Sequence, residues 1–99
     1  GRFDVESAQL EDPAGAEGVV MGVPDPERTE IVKAFVITST GIEGDAALAA
    51  QLQQYVKTRL SAHAYPRLVD FVSEVPKTPS GKVQRFVLRA AEVARQAGQ

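Results

Sequence analysis

One segment, IVKAFVIT (Ile31 to Thr38), limits what this chain can fold into. It is short, apolar and rich in β-branched residues, which predicts a β-strand. Alternation puts Phe35 and Ile37 on one side and Ala34 and Val36 on the other. Both sides are apolar, so the strand is predicted to be central, with cover on each face. The rest of the chain must supply its neighbours and that cover. Glu17 to Val23 (EGVVMGV) predicts a second strand, followed by a rigid Pro24-Asp25-Pro26 turn. Leu68 to Val72 (LVDFV) alternates around Asp70 and predicts a third, with Asp70 facing solvent or paired with a base.

Helices are predicted between and beside these strands. VESAQLED, starting at Val5, reads as a short helix with Val5 and Ala8 or Gln9-Leu10 on alternate turns, ended by Pro13-Ala14-Gly15. Ser39 to Gly44 is a loop tip, and Asp45 suits the N-cap of the next helix. From there Leu48, Leu52, Tyr55, Val56 and Leu60 recur at helical spacing, with glutamines and bases on the other face. Ser61 to Arg67 breaks this helix, and Tyr65-Pro66 fixes the entry to the third strand. Phe86 to Gln96 predicts a final helix. The order helix, strand, strand, helix, strand, helix points to an α+β domain: a small mixed β-sheet of about three strands flanked by helices. The 99 residues suit a single domain, residues 1–99, with a modest core.

Composition narrows the setting. There is no cysteine, so disulfides and thiol chemistry are out. No apolar run approaches the roughly 20 residues of a membrane span. The first residues lack the basic head and apolar stretch of a signal peptide. A cytoplasmic location is the expectation. The formal net charge of -2 gives no general pull toward nucleic acid. Its distribution is uneven, however. Residues 1–50 carry ten acids and three bases, and residues 51–99 carry eight bases and three acids. Such a dipole suits two solvated faces, or a basic edge that meets phosphates.

Chemistry concentrates in EVPKTPSGKVQR, Glu74 to Arg85. Two prolines stiffen the loop, and Gly81 can adopt backbone angles closed to other residues. Lys82 follows at once, a long point charge with three donors. A lysine displayed this way suits a phosphate or a carboxylate. A phosphate-binding P-loop does not fit. Pro76 stands where its first glycine belongs, and Val83 stands where a hydroxyl would reach magnesium. A surface turn with an incidental lysine is the simple alternative.

PKTPSGKVQR, with a strand before it and a helix after it, resembles the terminal motif of the adenylate-forming superfamily. That superfamily holds acyl-CoA and aryl-CoA synthetases, luciferases and the adenylation domains of peptide synthetases. GRFDVESAQL and EGVVMGVPDPERTEIVKAFVI resemble two further motifs of it, in the right order. AYPRLVDFVSEVPKTPSGKVQR is similar to the form in medium-chain and benzoate-type CoA ligases. The resemblance covers roughly residues 1–90. One departure is Thr29-Glu30, where relatives often carry a glycine, so that turn is expected to differ.

The resemblance implies the C-terminal lid domain of an AMP-forming acid–thiol ligase. Lys82 would be its catalytic lysine, serving acyl-adenylate formation, on a loop shaped by Ser80 and Gly81. ATP and Mg2+ would be held mainly by a large upstream domain, and coenzyme A would be the cosubstrate. Partners implied are that large domain and a carboxylic acid substrate. The family's glycine-rich ATP loop, acyl pocket and hinge lie outside this sequence, so the chain alone is expected to be inactive. Lys57, with Arg59 beside it, matches a position that nears the 3′-phosphate of CoA in some relatives; the alternative is a solvated charge on the polar helix face. In some members a lysine acetyltransferase modifies the equivalent of Lys82, which would make this chain a modification substrate.

Other residues read as structural. Arg85 and Arg89 suit solvated surface or contact with the large domain or phosphate. His63, the sole histidine, has no acid or cysteine in a motif with it, so neither a metal nor a general-base role is expected. Asp25, Glu27 and Glu30 lack calcium-loop spacing and read as a polar turn. An independent nucleic-acid module is disfavoured by the negative net charge and because few exposed-looking aromatics interleave the bases.

Overall fold

In a computed structural model, residues 7–11, 16–27, 29–59 and 65–98 are described. The strands are β1 (Ser7–Glu11), β2 (Ala16–Asp25), β3 (Thr29–Thr38) and β4 (Leu68–Phe71). Helix α1 (Ala46–Arg59) lies between β3 and β4, and α2 (Arg85–Ala97) closes the described chain. The sheet order is β1-β2-β3-β4. The first two pairings are antiparallel, and β3 pairs with β4 in parallel across the α1 crossover. The sheet is therefore mixed, and the α+β expectation holds.

β3 is central, as its double-sided apolar pattern predicted. Ala34 and Val36 join Ala16 and Val20 beneath Leu48, Leu52 and Val56 of α1. Ile31 and Phe35 join Val19, Met21 and Val23 beneath Leu88 of α2, with Val75 from the preceding loop. The sheet thus has a helix on each face. Gly18 is needed in β2 because a Cβ there would lie 2.0 Å from the Phe35 carbonyl oxygen.

Helix α1 begins as expected. Asp45 caps it, its Oδ1 accepting the Leu48 N–H at 2.9 Å. Tyr55 is only half-buried, and its hydroxyl donates to the Glu11 carbonyl at 2.8 Å. Pro66 is fully buried. Its carbonyl accepts the Gln53 side chain at 2.8 Å, and the Arg67 N–H donates to Val32 at 2.9 Å. These bonds fix the entry to β4.

Two local expectations are corrected. The segment predicted as a helix from Val5 contains strand β1, running from Ser7↔Met21 to Glu11↔Glu17 against β2. Five residues gain little from a lone helical turn, whose nucleation is costly. Pairing with the free edge of β2 satisfies their backbone groups instead, and it makes the sheet four-stranded. The turn predicted at Pro24-Asp25-Pro26 also sits later, because β2 continues to Asp25. Pro24 is the second-last residue of β2 and pairs with Glu30 of β3 where the strand runs out into the turn. Leu60, His63 and the Pro13-Ala14-Gly15 stop lie outside the described residues.

Candidate functional site

The PKTPSGK segment forms a tight hairpin. Lys77 and Val83 face each other in an antiparallel bridge. The Gln84 N–H donates to Pro76 O at 2.9 Å, and the Thr78 N–H donates to Lys82 O at 2.8 Å. The Gly81 N–H closes the turn on Thr78 O at 2.8 Å. Each residue type has a reason. Proline suits the second position of such a turn, where its fixed φ is pre-set. Gly81 has φ +92°, the left-handed bulge position after the turn. Ser80 Oγ lies 3.0 Å from Thr78 Oγ1. The base of the hairpin is anchored in the core, since Val75 is buried and Val83 packs on the α2-side cluster.

Lys82 follows that bulge and is exposed. No described residue hydrogen-bonds or ion-pairs with its ammonium. Its loop, including Ser80 and Gly81, is ordered by hydrogen bonds, and the lysine side chain leaves it toward solvent. An open cleft of ≈ 260 Å³ lies beside the hairpin, between Glu11 and Glu17 on the sheet side and Lys77 and Gly81 on the hairpin side. Just beyond the hairpin, Phe86 is 71% exposed and Val87 is partly so. Val87 and Ala91 border a shallow apolar groove shared with Ile37 and Pro76. Sequence reasoning treated Phe86 only as the start of a helix. Its signal was an apolar residue directly after the basic motif.

Lys57 and Arg59 are not part of this site. Both lie in the last turn of α1, on the opposite face of the sheet from the hairpin and α2. Their cations rest over aromatic rings, Lys57 Nζ 5.8 Å from Tyr65 and Arg59 Cζ 5.2 Å from Tyr55. Arg89 is structural, its Nε donating to Gly22 O at 3.1 Å, whereas Arg85 is exposed. Asp25 Oδ2 accepts the Glu27 N–H at 3.1 Å in a turn contact. Among the described residues no three acidic or histidine side chains converge on one point. No described helix is long and apolar enough to cross a membrane.

A buried ionic cluster, barely legible in the sequence, joins α2 to the sheet. Lys33, 4% exposed on β3, donates to both oxygens of Glu92 on α2 at 3.0 Å. It also lies 3.7 Å from Asp70 on β4, meeting the expectation that Asp70 pairs with a base. Arg95 and Gln96 complete the shell around the Glu92 carboxylate. Burial pushes the Glu92 pKa up. Hydrogen bonds from Arg95, Lys33 and Gln96 and the Lys33 charge outweigh it and hold the carboxyl at about 2, below its ordinary 4.5. The partners are 59 residues apart, and only a lysine within an apolar strand hinted at them.

Comparison with known proteins places this geometry in context. The family model described as AMP-binding enzyme C-terminal domain matches residues 4–82. A 4-hydroxybutyrate–CoA ligase of Metallosphaera sedula is 47% identical over 93% of this chain and 16% of its own length. The crystal structure of a Brucella canis acyl-CoA synthetase superposes with a TM-score of 0.76 at 65% identity, over 86% of this chain and 16% of that one. A benzoate CoA ligase from Burkholderia xenovorans gives 0.65 at 42% identity, over 74% and 15%. The chain spans about a sixth of the length of these relatives.

Proposed function

The chain belongs to the AMP-binding enzyme C-terminal domain family, as found in acyl- and aryl-CoA ligases, and from that premise we propose that it is the mobile C-terminal domain of an ATP-dependent, AMP-forming ligase, with Lys82 its adenylation lysine. The observation that carries the reading is an exposed ammonium, without a partner among the described residues, on a hairpin whose base packs into the core. In the first half-reaction a carboxylate oxygen attacks the α-phosphorus of ATP. An O–P bond forms, the bond to pyrophosphate breaks, and acyl-AMP results. Two anions approach, so negative charge gathers on the carboxylate and the α-phosphate oxygens. A pre-placed ammonium stabilises that transition state, by about 3–4 kcal/mol for donors of this kind. Mg2+ and most of ATP would sit in the large domain, where the metal offsets phosphate charge. The apolar surface of Phe86 and Val87, beside the lysine, suits contact with that domain. In the second half-reaction the small domain turns, the CoA sulfur attacks the acyl carbon, and AMP leaves.

The test is Lys82→Ala in the full-length ligase, with the half-reactions separated. Pyrophosphate exchange reports acyl-AMP formation, and supplied acyl-AMP with CoA reports thioester formation. Exchange should fall by about 10² to 10³ while thioester formation persists. Survival of both removes Lys82 from the chemistry. A second reading rests on the same exposure, as a substrate of a lysine acetyltransferase. Acetylation would remove the charge that adenylation uses. Mass spectrometry after incubation with acetyl-CoA and an acetyltransferase tests it, and an unlabelled Lys82 counts against it.

A further inference from the structure

Thr78 makes four hydrogen bonds within its own hairpin. Its N–H donates to Lys82 O and its carbonyl accepts the Gly81 N–H, both at 2.8 Å. Its Oγ1 accepts the Lys82 N–H at 3.1 Å and lies 3.0 Å from Ser80 Oγ. Both backbone polar groups of Lys82 therefore end on one residue. We infer that Thr78 is the positioning residue for Lys82: its hydroxyl fixes the peptide plane that aims the lysine side chain. This rests on the reading of Lys82 as the adenylation lysine.

The hydroxyl has a task the backbone leaves open. In a regular hairpin the Lys82 N–H would return to the facing carbonyl. Here the Thr78 carbonyl already holds the Gly81 N–H, so the side chain accepts the second donor. The lysine side chain is long and flexible. The direction in which it leaves the loop depends on the φ and ψ of Lys82, which these bonds set. With no side-chain partner for the ammonium among the described residues, little else aims it. Misplacement of a reacting group by about 1 Å can cost 10²-fold in rate. Valine keeps the shape of threonine but accepts no bond, and serine keeps the acceptor.

The experiment compares Thr78→Val, Thr78→Ser and Lys82→Ala in the full-length ligase, using whichever of benzoate, hexanoate and acetate wild type turns over fastest. Thr78→Val should lower the kcat of pyrophosphate exchange about tenfold, the scale of one good hydrogen bond. Its KM for ATP and its thioester formation from supplied acyl-AMP should stay within about twofold, as should both half-reactions of Thr78→Ser. Equal loss of both half-reactions in Thr78→Val marks a merely structural residue and overturns the inference. So does wild-type exchange in Thr78→Val beside a collapsed Lys82→Ala. If Lys82→Ala itself adenylates normally, the reading of the lysine falls instead. A measurement on the 99-residue chain needs no substrate: the Lys82 amide should exchange hydrogen faster in Thr78→Val than in Thr78→Ser. Equal exchange in the two overturns the clamp directly.

Discussion

Thr29 holds a β-branched side chain at φ +71°, in the left-handed region. There the Cβ crowds the backbone, at a cost of roughly 1–2 kcal/mol. Glycine suits this conformation, and the chain adopts it with threonine instead. Thr29→Gly should therefore stabilise the chain by about 0.5–1 kcal/mol, after the extra unfolded-state entropy of glycine is deducted. A midpoint rise of a few degrees should accompany it in thermal unfolding. Thr29→Ala is the control, because alanine suffers the same strain. Equal gain from both substitutions would show that strain is not the cause. Two glycines separate backbone freedom from close packing. At Gly81 the left-handed φ matters while the space around it is open, so Gly81→Ala should cost about 1 kcal/mol. At Gly18 the obstacle is the Phe35 carbonyl, which the sheet cannot move aside. Gly18→Ala should cost more, roughly 2–3 kcal/mol. Urea unfolding of the two variants ranks them, and the reverse order would contradict this account.

At the scale of elements, the Lys33–Glu92 pair joins α2 to the sheet. Removing one member of a buried pair strands the other, at about 3–5 kcal/mol. The pair also has a pH signature. The Glu92 pKa is lower folded than unfolded, so its contribution is fully present above pH 4.5 and is lost as pH falls toward 2. A drop from 4.5 to about 2 corresponds to about 3 kcal/mol. Stability measured by urea between pH 5 and 2 should fall, and in Glu92→Gln the slope over that window should flatten. An unchanged slope would assign acid sensitivity elsewhere. Such pairs are also where sequence reading stops. The two-sided apolar pattern of β3, the Asp45 cap and the spacing of Leu48, Leu52 and Val56 are local signals, and the structure follows them. Lys33 meets Glu92 only after α2 folds back over the sheet, which no window of sequence reports. β1 failed for a related reason: its helical spacing is a weak local preference, overruled by a free strand edge. Within the motif, the turn that holds Ser80 and Gly81 was legible because proline and glycine mark it. The hydrogen bonds of Thr78 to Lys82 were not, since they form only when the hairpin closes.

For the whole molecule, the sheet separates two basic regions. The hairpin with Lys82 lies on the α2 face, and Lys57 and Arg59 lie at the end of α1 on the other. One face cannot serve a single closed site together with the other. A domain that presents different surfaces in two half-reactions has a use for both, and the proposed rotation supplies that motive. Lys57 and Arg59 are exposed and rest on Tyr65 and Tyr55, so their positions are set even though no acid neutralises them among the described residues. They also sit at a helix C-terminus, which favours cations there without any ligand. A probe of the phosphate itself decides between these accounts. CoA carries a 3′-phosphate and dephospho-CoA lacks it. If the two cations meet that phosphate, Lys57→Ala combined with Arg59→Ala should raise the KM for CoA about three- to tenfold, in line with about 1 kcal/mol of exposed charge pairing. The KM for dephospho-CoA should not move, and pyrophosphate exchange should be untouched. The difference between the two thiols should also shrink as salt is raised, because exposed charges are screened. Equal KM values for wild type and variant with CoA would return Lys57 and Arg59 to the role of helix-end charges, leaving the Lys82 face as the chain's contribution to the chemistry.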